Sequence, residues 1–283
     1  MGKVRIADGE TARWGVVEGE EVVLEDGTRL PEAEITYLAP VMPSKVIAVH
    51  LTYRSRIEEY AARTPPYPSY FMKPPTTLNG HRGVLRRPAG TEFLNYEGEL
   101  AVVIGRRMHG VAQDDALSYV AGYAVANDVG LHDFRHADRG SMLRVKGQDG
   151  FLPLSPTVVP AAEFDPTDYE LRTLLNGEVV QRTTAQDLIW GVAYQLADLS
   201  RLITLEPGDV ILTGTPANSR PMAVGDVVAV EIDGLGRVES TVVEWEVDLS
   251  EVGDQPETSP NTLHVALAVS EEEAERMVER SKA

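Results

Sequence analysis

The chain has 283 residues, is 43% hydrophobic, carries a formal net charge of −18 and contains no cysteine. That length and apolar content suffice for a sizeable core, while the acidic charge argues against a nucleic-acid backbone or an anionic membrane as partner. The missing cysteines exclude a disulfide framework, thiolate catalysis and thiolate-held zinc or iron–sulfur sites.

The opening "MGKVRIADGE" lacks the apolar stretch of a signal peptide, and no apolar run reaches the length of a membrane span. A cytoplasmic protein is therefore the expectation. Residues 1–42 read as a small β unit, with "KVRIA", "WGVVE" and "EVVLE" as strands and "EDGT" (25–28) as a hairpin turn. "APVMPSK" (39–45) is a proline-punctuated linker. The main region, 43–250, opens with a buried strand, "VIAVHL" (46–51). A charged helix, "YRSRIEEYAAR" (53–63), and a proline-rich loop around a short strand, "TPPYPSYFMKPP" (64–75), follow. "NYEGELAVVIG" (95–105) is a strand with apolar residues on both faces, which predicts burial. "DDALSYVAGY" (114–123) has helical character and runs into "AVAND" (124–128).

"LRTLLNGEVV" (171–180) predicts a hairpin about its Asn-Gly turn. The longest helix is expected over 184–204, with Leu188, Val192, Leu196, Leu199 and Ile203 as its apolar stripe and Thr184 with Asp187 resembling a capping box. "PGDVILTGTP" (207–216) and "VGDVVAVEIDGLGRV" (224–238) are turn-then-strand segments. Residues 251–283 are a C-terminal extension ending in an exposed helix, its start marked by Ser270 with Glu273 three positions on. Strands outnumber helices and do not alternate with them, so the fold class is α+β, dominated by strands.

Chemistry concentrates on three acids. Residues two apart on a strand share a face, so Glu97 and Glu99 lie side by side, roughly 6–7 Å apart, with Ala101 and Val103 continuing their face. Buried like charges must be neutralised, and a hard divalent cation does this with oxygen ligands. Asp128, at the end of its own apolar run, is the third candidate. The alternative is a solvated strand face with Asp128 in an ordinary turn. A basic cluster follows: His132, Arg135, His136, Arg139, Arg144 and Lys146. It is either a carboxylate pocket or a charged loop paired with Asp133, Asp138 and Asp149. His132 and His136 have a zinc-ligand spacing, but no third ligand is evident nearby. "LTGTP" (212–216) presents hydroxyls and N–H groups at a strand end, or is a plain turn; it is no P-loop. A Gly-x-Ser-x-Gly elbow is absent.

In order, "YRSRIEEYAAR", "YFMKPPTTLNG", "NYEGELAVVIGRR", "YVAGYAVANDV", "RVKGQDGFLPLSP", "LRTLLNGEVVQRTTAQDLIW" and "LEPGDVILTGTP" resemble the fumarylacetoacetate hydrolase family over roughly residues 45–245. The resemblance implies a fumarylacetoacetate-hydrolase-like mixed β fold and a homodimer. It implies Mg²⁺ or Mn²⁺ held by Glu97, Glu99 and Asp128, with Lys146 near metal and substrate and Thr215 near the substrate. "LRVKGQDGFLPLSPTVVP" is most similar to the isomerase/decarboxylase branch of homoprotocatechuate breakdown, which acts on seven-carbon unsaturated oxo-dicarboxylates.

One position departs from the pattern. Family hydrolases carry a catalytic His three residues before a Glu, after a Tyr. Here Tyr53 and Glu59 match, but Arg56 occupies the histidine position, and arginine is a poor base. The expectation is thus an isomerase or decarboxylase of 2-oxo (enol) dicarboxylic acids. Lys146 supports the enolate or relays a proton, Glu59 and His50 are candidates for proton transfer, and Arg56, Thr215 and Tyr53 contact the substrate. The rivals are a C–C bond hydrolase, an oxaloacetate decarboxylase and a metal-binding relic without activity.

Overall fold

The computed structural model describes residues 2–138, 140–247, 249 and 252–281. Along the chain, β1 (Lys3–Asp8), β2 (Thr11–Glu18), β3 (Glu21–Leu24), β4 (Arg29–Pro31) and β5 (Tyr37–Leu38) form one sheet ordered β4-β3-β2-β1-β5. Its own small core is Val4, Ile6, Val22, Leu24 and Tyr37. Gly27 at φ 86° and the Asp26 side chain, which accepts the Thr28 N–H, close the expected turn between β3 and β4.

The main region continues with β6 (Val46–His50), α1 (Arg54–Glu59), β7 (Ser69–Lys73), β8 (Leu78–Asn79), β9 (Val84–Pro88), β10 (Leu94–Asn95) and β11 (Gly98–Ile104). Next come α2 (Gln113–Ala116), β12 (Val120–Asn127), β13 (Gly130–Leu131), α3 (Arg135–Asp138), α4 (Leu143–Lys146), β14 (Leu152–Pro153) and β15 (Val159–Pro160). They are followed by β16 (Glu170–Leu175), β17 (Glu178–Thr184), α5 (Val192–Ser200), β18 (Val210–Leu212), β19 (Val227–Ile232) and β20 (Gly236–Trp245). The chain ends with α6 (Pro260–Leu267) and α7 (Glu271–Ser281). Among the described residues no helix is long and apolar enough to cross a membrane.

Two sheets carry the main region: six strands ordered β15-β12-β11-β18-β6-β7, and five ordered β17-β16-β19-β20-β9. This strand-dominated mixed architecture is the expected one. β11 is buried along its whole length. Leu100, Val102 and Ile104 face the second sheet, packing with Leu171, Val230 and Ile232 and with Leu196 and Leu199 of α5. Ala101 lies on the opposite face, with Ala48, Ala124, Ala126, Met142 and Val145. Those alanines are small enough to let the 142–154 segment approach the sheet. That second face is the one Glu97 and Glu99 share.

Several local expectations need correction. The 184–204 segment is helical only as Val192–Ser200, after a 3-10 turn over Ala185–Asp187. Thr184 is still the end of a strand, and Gly191 starts the helix in extended conformation. The capping box is not made: Asp187 instead accepts the Ser55 hydroxyl at 2.5 Å. Ile203 of the proposed stripe is 42% exposed. The charged helix after residue 53 stops at Glu59, and Ala61 turns left-handed at φ 48°. The helical character of 114–123 ends at Tyr119, and β12 begins at Val120. The Asn176–Gly177 hairpin is present, with φ 52° and 86°, as a primed turn needs. The Ser270 cap is also present, accepting the Glu273 N–H at 3.2 Å.

The glycine between the two acids has a steric reason. A Cβ on Gly98 would meet the Thr173 Oγ1 at 2.3 Å, with Val230 and Leu171 close behind. Gly98→Ala should therefore destabilise the protein by about 1–3 kcal/mol through overpacking between the sheets. Urea unfolding checks this, and an unchanged midpoint would show that the sheets yield.

Candidate active site

The register of β11 on β12 builds the acidic cluster. Gly98 pairs with Asn127, so the residue before one strand and the residue after the other are neighbours. The Asp128 N–H donates to the Glu97 carbonyl at 2.8 Å, and the Asn127 side chain accepts the Glu97 N–H at 2.8 Å. Ligand atoms of Glu97, Glu99 and Asp128 lie within 4.8 Å of one another, and all three residues are buried.

Two lysines offset this charge. Lys146, at the end of α4, reaches the Glu97 carboxylate at 2.7 Å, the Asp128 carboxylate at 3.1 Å and the Asp128 carbonyl at 2.6 Å. It arrives there because Met142 turns left-handed ahead of α4 and buried Asp138 accepts the N–H groups of Arg144 and Val145. Lys73, at the end of β7, pairs with Asp128 and donates to the Phe151 carbonyl at 3.0 Å. Burial lowers the proton affinity of Lys73 further than Asp128 raises it. For Lys146 the balance is reversed: burial lowers its affinity, but Asp128 and Glu97 outweigh it. Burial likewise pushes Asp128 up, yet Lys146 and Lys73 hold it below its ordinary value.

Glu99 is the uncompensated member. Its Oε2 accepts the Gly214 N–H at 2.7 Å, and among the described residues no cationic side chain pairs with it within 4.0 Å. Burial, then Asp128 and Glu97, drive its pKa well above the ordinary carboxylate range. Lys73 and Lys146 bond Asp128 and Glu97, and Arg56 lies 3.7 Å from Glu97, which leaves Glu99 without a cation in an all-oxygen site of the kind magnesium or manganese takes. The residues present thus fit a hard divalent ion.

The "TGTP" loop is part of this design. Gly214 sits at φ 95°, and a Cβ there would fall 2.0 Å from the Thr52 Oγ1, so only glycine brings its N–H to Glu99. Gln181 fixes the loop from β17, donating to Thr215 Oγ1 at 3.2 Å and to the carbonyls of Pro216 and Ala217 at 3.1 Å.

His50, Arg56, Glu97, Glu99, Asp128, Lys146 and Thr215 line one cavity of about 850 Å³. Arg56 is clamped by Glu59 at 2.7 Å and reaches to 3.7 Å from Glu97. Glu59 does not line the cavity. Its oxygens also accept from Arg220 at 2.7 Å and from the Asn218 N–H at 3.1 Å, so it is held as a pinned anion behind Arg56. Tyr53 is fully buried, its hydroxyl bonded to that of Tyr169 at 3.0 Å, and is likewise off the cavity. His50 stacks on Phe71 at 4.6 Å; burial, then Arg135 and Lys146, lower its pKa to about 4.

The basic cluster is divided. Arg135 and His132 face the cavity. Arg144 pairs with Asp138 at 3.4 Å, and Arg139 lies outside the described residues. The His132–His136 pair is not shared: His136 bonds Asp254 at 2.5 Å. Among the described residues the single metal-capable group is Glu97, Glu99 and Asp128.

Sequence reasoning did not find Lys73, Gln181 or the C-terminal wall. Asn261, His264, Val265, Ser270 and Glu271 complete the cavity. α6 is held there by Tyr60 on the Val265 carbonyl at 3.0 Å and Asn95 on the Ala266 carbonyl at 2.9 Å. "SPNTL" (259–263) carried a usable helix signal: Ser259 caps the Thr262 N–H at 3.1 Å, with proline next.

Comparison with known proteins gives a concordant picture. Residues 45–243 match the family model "Fumarylacetoacetate (FAA) hydrolase C-terminal". The 4-hydroxyphenylacetate degradation bifunctional isomerase/decarboxylase of Escherichia coli is 40% identical over 211 residues, 73% of this chain and 49% of that protein, so this chain spans about half its length. The crystal structure of 5-carboxymethyl-2-hydroxymuconate delta-isomerase from Mycobacterium smegmatis superposes with TM-score 0.76 at 36% identity, covering 87% of this chain and 100% of that one. Maleylpyruvate hydrolase from Sphingobium sp. SYK-6, solved with manganese(II) and pyruvate, superposes with TM-score 0.72 at 26% identity, covering 87% and 100%.

The uncompensated carboxylate is testable without substrate. Because the raised pKa of Glu99 marks a charge disfavoured in the fold, its stabilising contribution is present at low pH and lost as pH rises through that value. In EDTA, wild-type Tm should fall on going from pH 5 to pH 8, and Glu99→Gln should lie above it at pH 8 while gaining less Tm from Mn²⁺. A variant no more stable than wild type in EDTA would show that Glu99 is satisfied by protein alone.

Proposed function

This chain belongs to the fumarylacetoacetate hydrolase family, and we propose that it is a divalent-metal-dependent isomerase or decarboxylase of 2-oxo (enol) dicarboxylic acids from aromatic-compound breakdown. The observation that carries the proposal is the polarity of the cavity. The carboxylate cluster, with Lys146 on it, shares the cavity with two further cations, Arg56 and Arg135, among largely neutral residues such as Val49, Phe71 and Met142. A diacid with a 2-oxo group at one end suits both.

Glu97, Glu99 and Asp128 would hold the ion, Mg²⁺ or Mn²⁺. When bound, it supplies Lewis-acid stabilisation of negative charge on a 2-oxo oxygen. Lys146, bonded to the Glu97 and Asp128 carboxylates, would place positive charge beside a forming enolate. Thr215 presents its hydroxyl to the substrate from a loop that Gln181 immobilises.

For the distal carboxylate the geometry favours Arg135 over the expected Arg56. Arg56 is already committed to Glu59. Arg135 pairs with no carboxylate among the described residues, its one side-chain bond being to Met142 Sδ at 3.7 Å, and burial lowers its proton affinity. Such a cation gains most from a substrate anion. Arg56 lines the same wall as a fixed positive neighbour. The water-activating pair of the hydrolases has no counterpart here, because Arg56 and Glu59 are bound to each other and Glu59 is held by Arg220 and Asn218.

The test is turnover with Mg²⁺ of 2-hydroxyhepta-2,4-diene-1,7-dioate, its carboxylated precursor, monocarboxylate analogues and acylpyruvates. A spectral shift without CO₂ marks isomerisation, and absorbance loss with CO₂ marks decarboxylation. Two acid products from acylpyruvates alone would contradict the proposal. Arg135→Gln should remove about 10–100-fold of the preference for dicarboxylates in kcat/KM, the worth of one charge-assisted contact. Undiminished discrimination would free Arg135 of that role.

A further inference from the structure

Building on the isomerase/decarboxylase reading above, we infer that His132 is the proton-transfer residue of this site, serving where Arg56 and Glu59 cannot. His132 is 1% exposed, yet neither ring nitrogen has a hydrogen-bond partner among the described residues. Buried imidazoles are ordinarily bonded through at least one nitrogen, often to a carbonyl or carboxylate. Here the ring faces the same cavity as Glu97, Glu99, Asp128 and Lys146. Its position is not a matter of slack. The His132 N–H donates to the Phe93 carbonyl at 2.9 Å, and its carbonyl accepts from Thr262 at 3.3 Å. β10 and β13 pair just before it, Leu94 with Leu131. A rigidly mounted, buried imidazole on the wall of this cavity, with no protein partner for either nitrogen among the described residues, is arranged for a ligand.

The surroundings keep the ring neutral until that ligand arrives. Burial, then Arg135, Lys146 and Arg56, hold its proton affinity well below the ordinary imidazole value. A bound dicarboxylate brings negative charge among those same cations, which strengthens the ring as a base only once substrate is in place. Of the two other cavity histidines, His50 packs on Phe71 and His264 bonds the Val269 carbonyl through Nδ1 at 2.6 Å.

In isomerisation, a ring nitrogen accepts the proton from the carbon beside the 2-oxo group of the substrate's unconjugated 2-oxo tautomer, whose enol form carries the same proton on the 2-hydroxyl. The C–H electron pair enters the adjacent C–C bond, and the charge moves to the 2-oxo oxygen. The imidazolium then returns the proton to the far end of the conjugated chain, so no atom is gained or lost. In decarboxylation the pair comes from the C–C bond to the departing CO₂. The ring, protonated from solvent, delivers that proton to the carbon left behind.

The test follows exchange of the C3 protons of 2-oxoglutarate in D₂O with Mg²⁺ by NMR, alongside calorimetric binding of the same acid. His132→Gln should slow exchange by about 100-fold or more, the scale of general acid–base catalysis, while the Kd stays nearly unchanged. His132→Ala should behave alike and recover exchange when free imidazole is added, which a merely structural residue would not do. Thermal unfolding of both variants reports whether they are folded. Wild-type exchange rates in both variants would overturn the role of His132 alone. So would parallel loss of exchange and binding with no imidazole rescue. A wild-type enzyme that binds 2-oxoglutarate but exchanges and turns over no 2-oxo diacid would overturn the functional proposal together with this role.

Discussion

Three carboxylates with ligand atoms within 4.8 Å of each other, all in the interior, are the constraint around which this protein is organised. Left bare, such a cluster would carry a large desolvation and repulsion cost. The fold answers with two buried lysines from different elements, Lys73 from β7 and Lys146 from α4, and with a backbone N–H from Gly214. Each answer imposes its own structural demand. Lys146 needs the left-handed turn at Met142 and the Asp138 anchor. The Gly214 N–H needs a residue without Cβ beside Thr52. The two glutamates need a glycine between them, because the intervening position points into the packed second sheet. Even so, among the described residues none of the protein's own cations pairs with Glu99 within 4.0 Å, and its bond is to the Gly214 N–H.

Much of this was legible in the sequence because it depends on local periodicity. The two-residue period of a strand places Glu97 and Glu99 on one face, with Leu100, Val102 and Ile104 on the other, and packing divides those residues that way. The Asn-Gly hairpin and the Ser270 cap were readable for the same reason: the deciding atoms lie within a few residues. The 184–204 segment misled because its apolar spacing suits a helix throughout. What delays the helix's start is tertiary: β17 claims Thr184 for a ladder, and Ser55 takes Asp187.

The remainder of the site depends on long-range register. Lys73 reads as an ordinary lysine at the end of a short strand, and its meaning appears only when β7 lies beside β6 with its ammonium on Asp128. Gln181 is one polar residue in a hairpin, 34 positions from the threonine it holds. Arg135 and Arg144 look alike in the sequence, yet one faces the cavity and the other pairs with Asp138. Glu59 was legible as a candidate for proton transfer but not as a side chain closed off by Arg56, Arg220 and Asn218. The C-terminal segment, read as an appendage, supplies a wall of the cavity through α6.

Replacing a histidine by arginine at position 56 thus changes more than one side chain's chemistry. It converts a place for a base into a buried ion pair. Among the cavity histidines, His132, on a separate element, is the fully buried one with both ring nitrogens unpartnered among the described residues. All of these roles presuppose that the acidic cluster holds a metal. A crystal grown with Mn²⁺ and measured at the manganese edge tests that presupposition directly. Anomalous density bounded by Glu97, Glu99 and Asp128 is the expected result. Density at another site, or none there at saturating Mn²⁺, would contradict it.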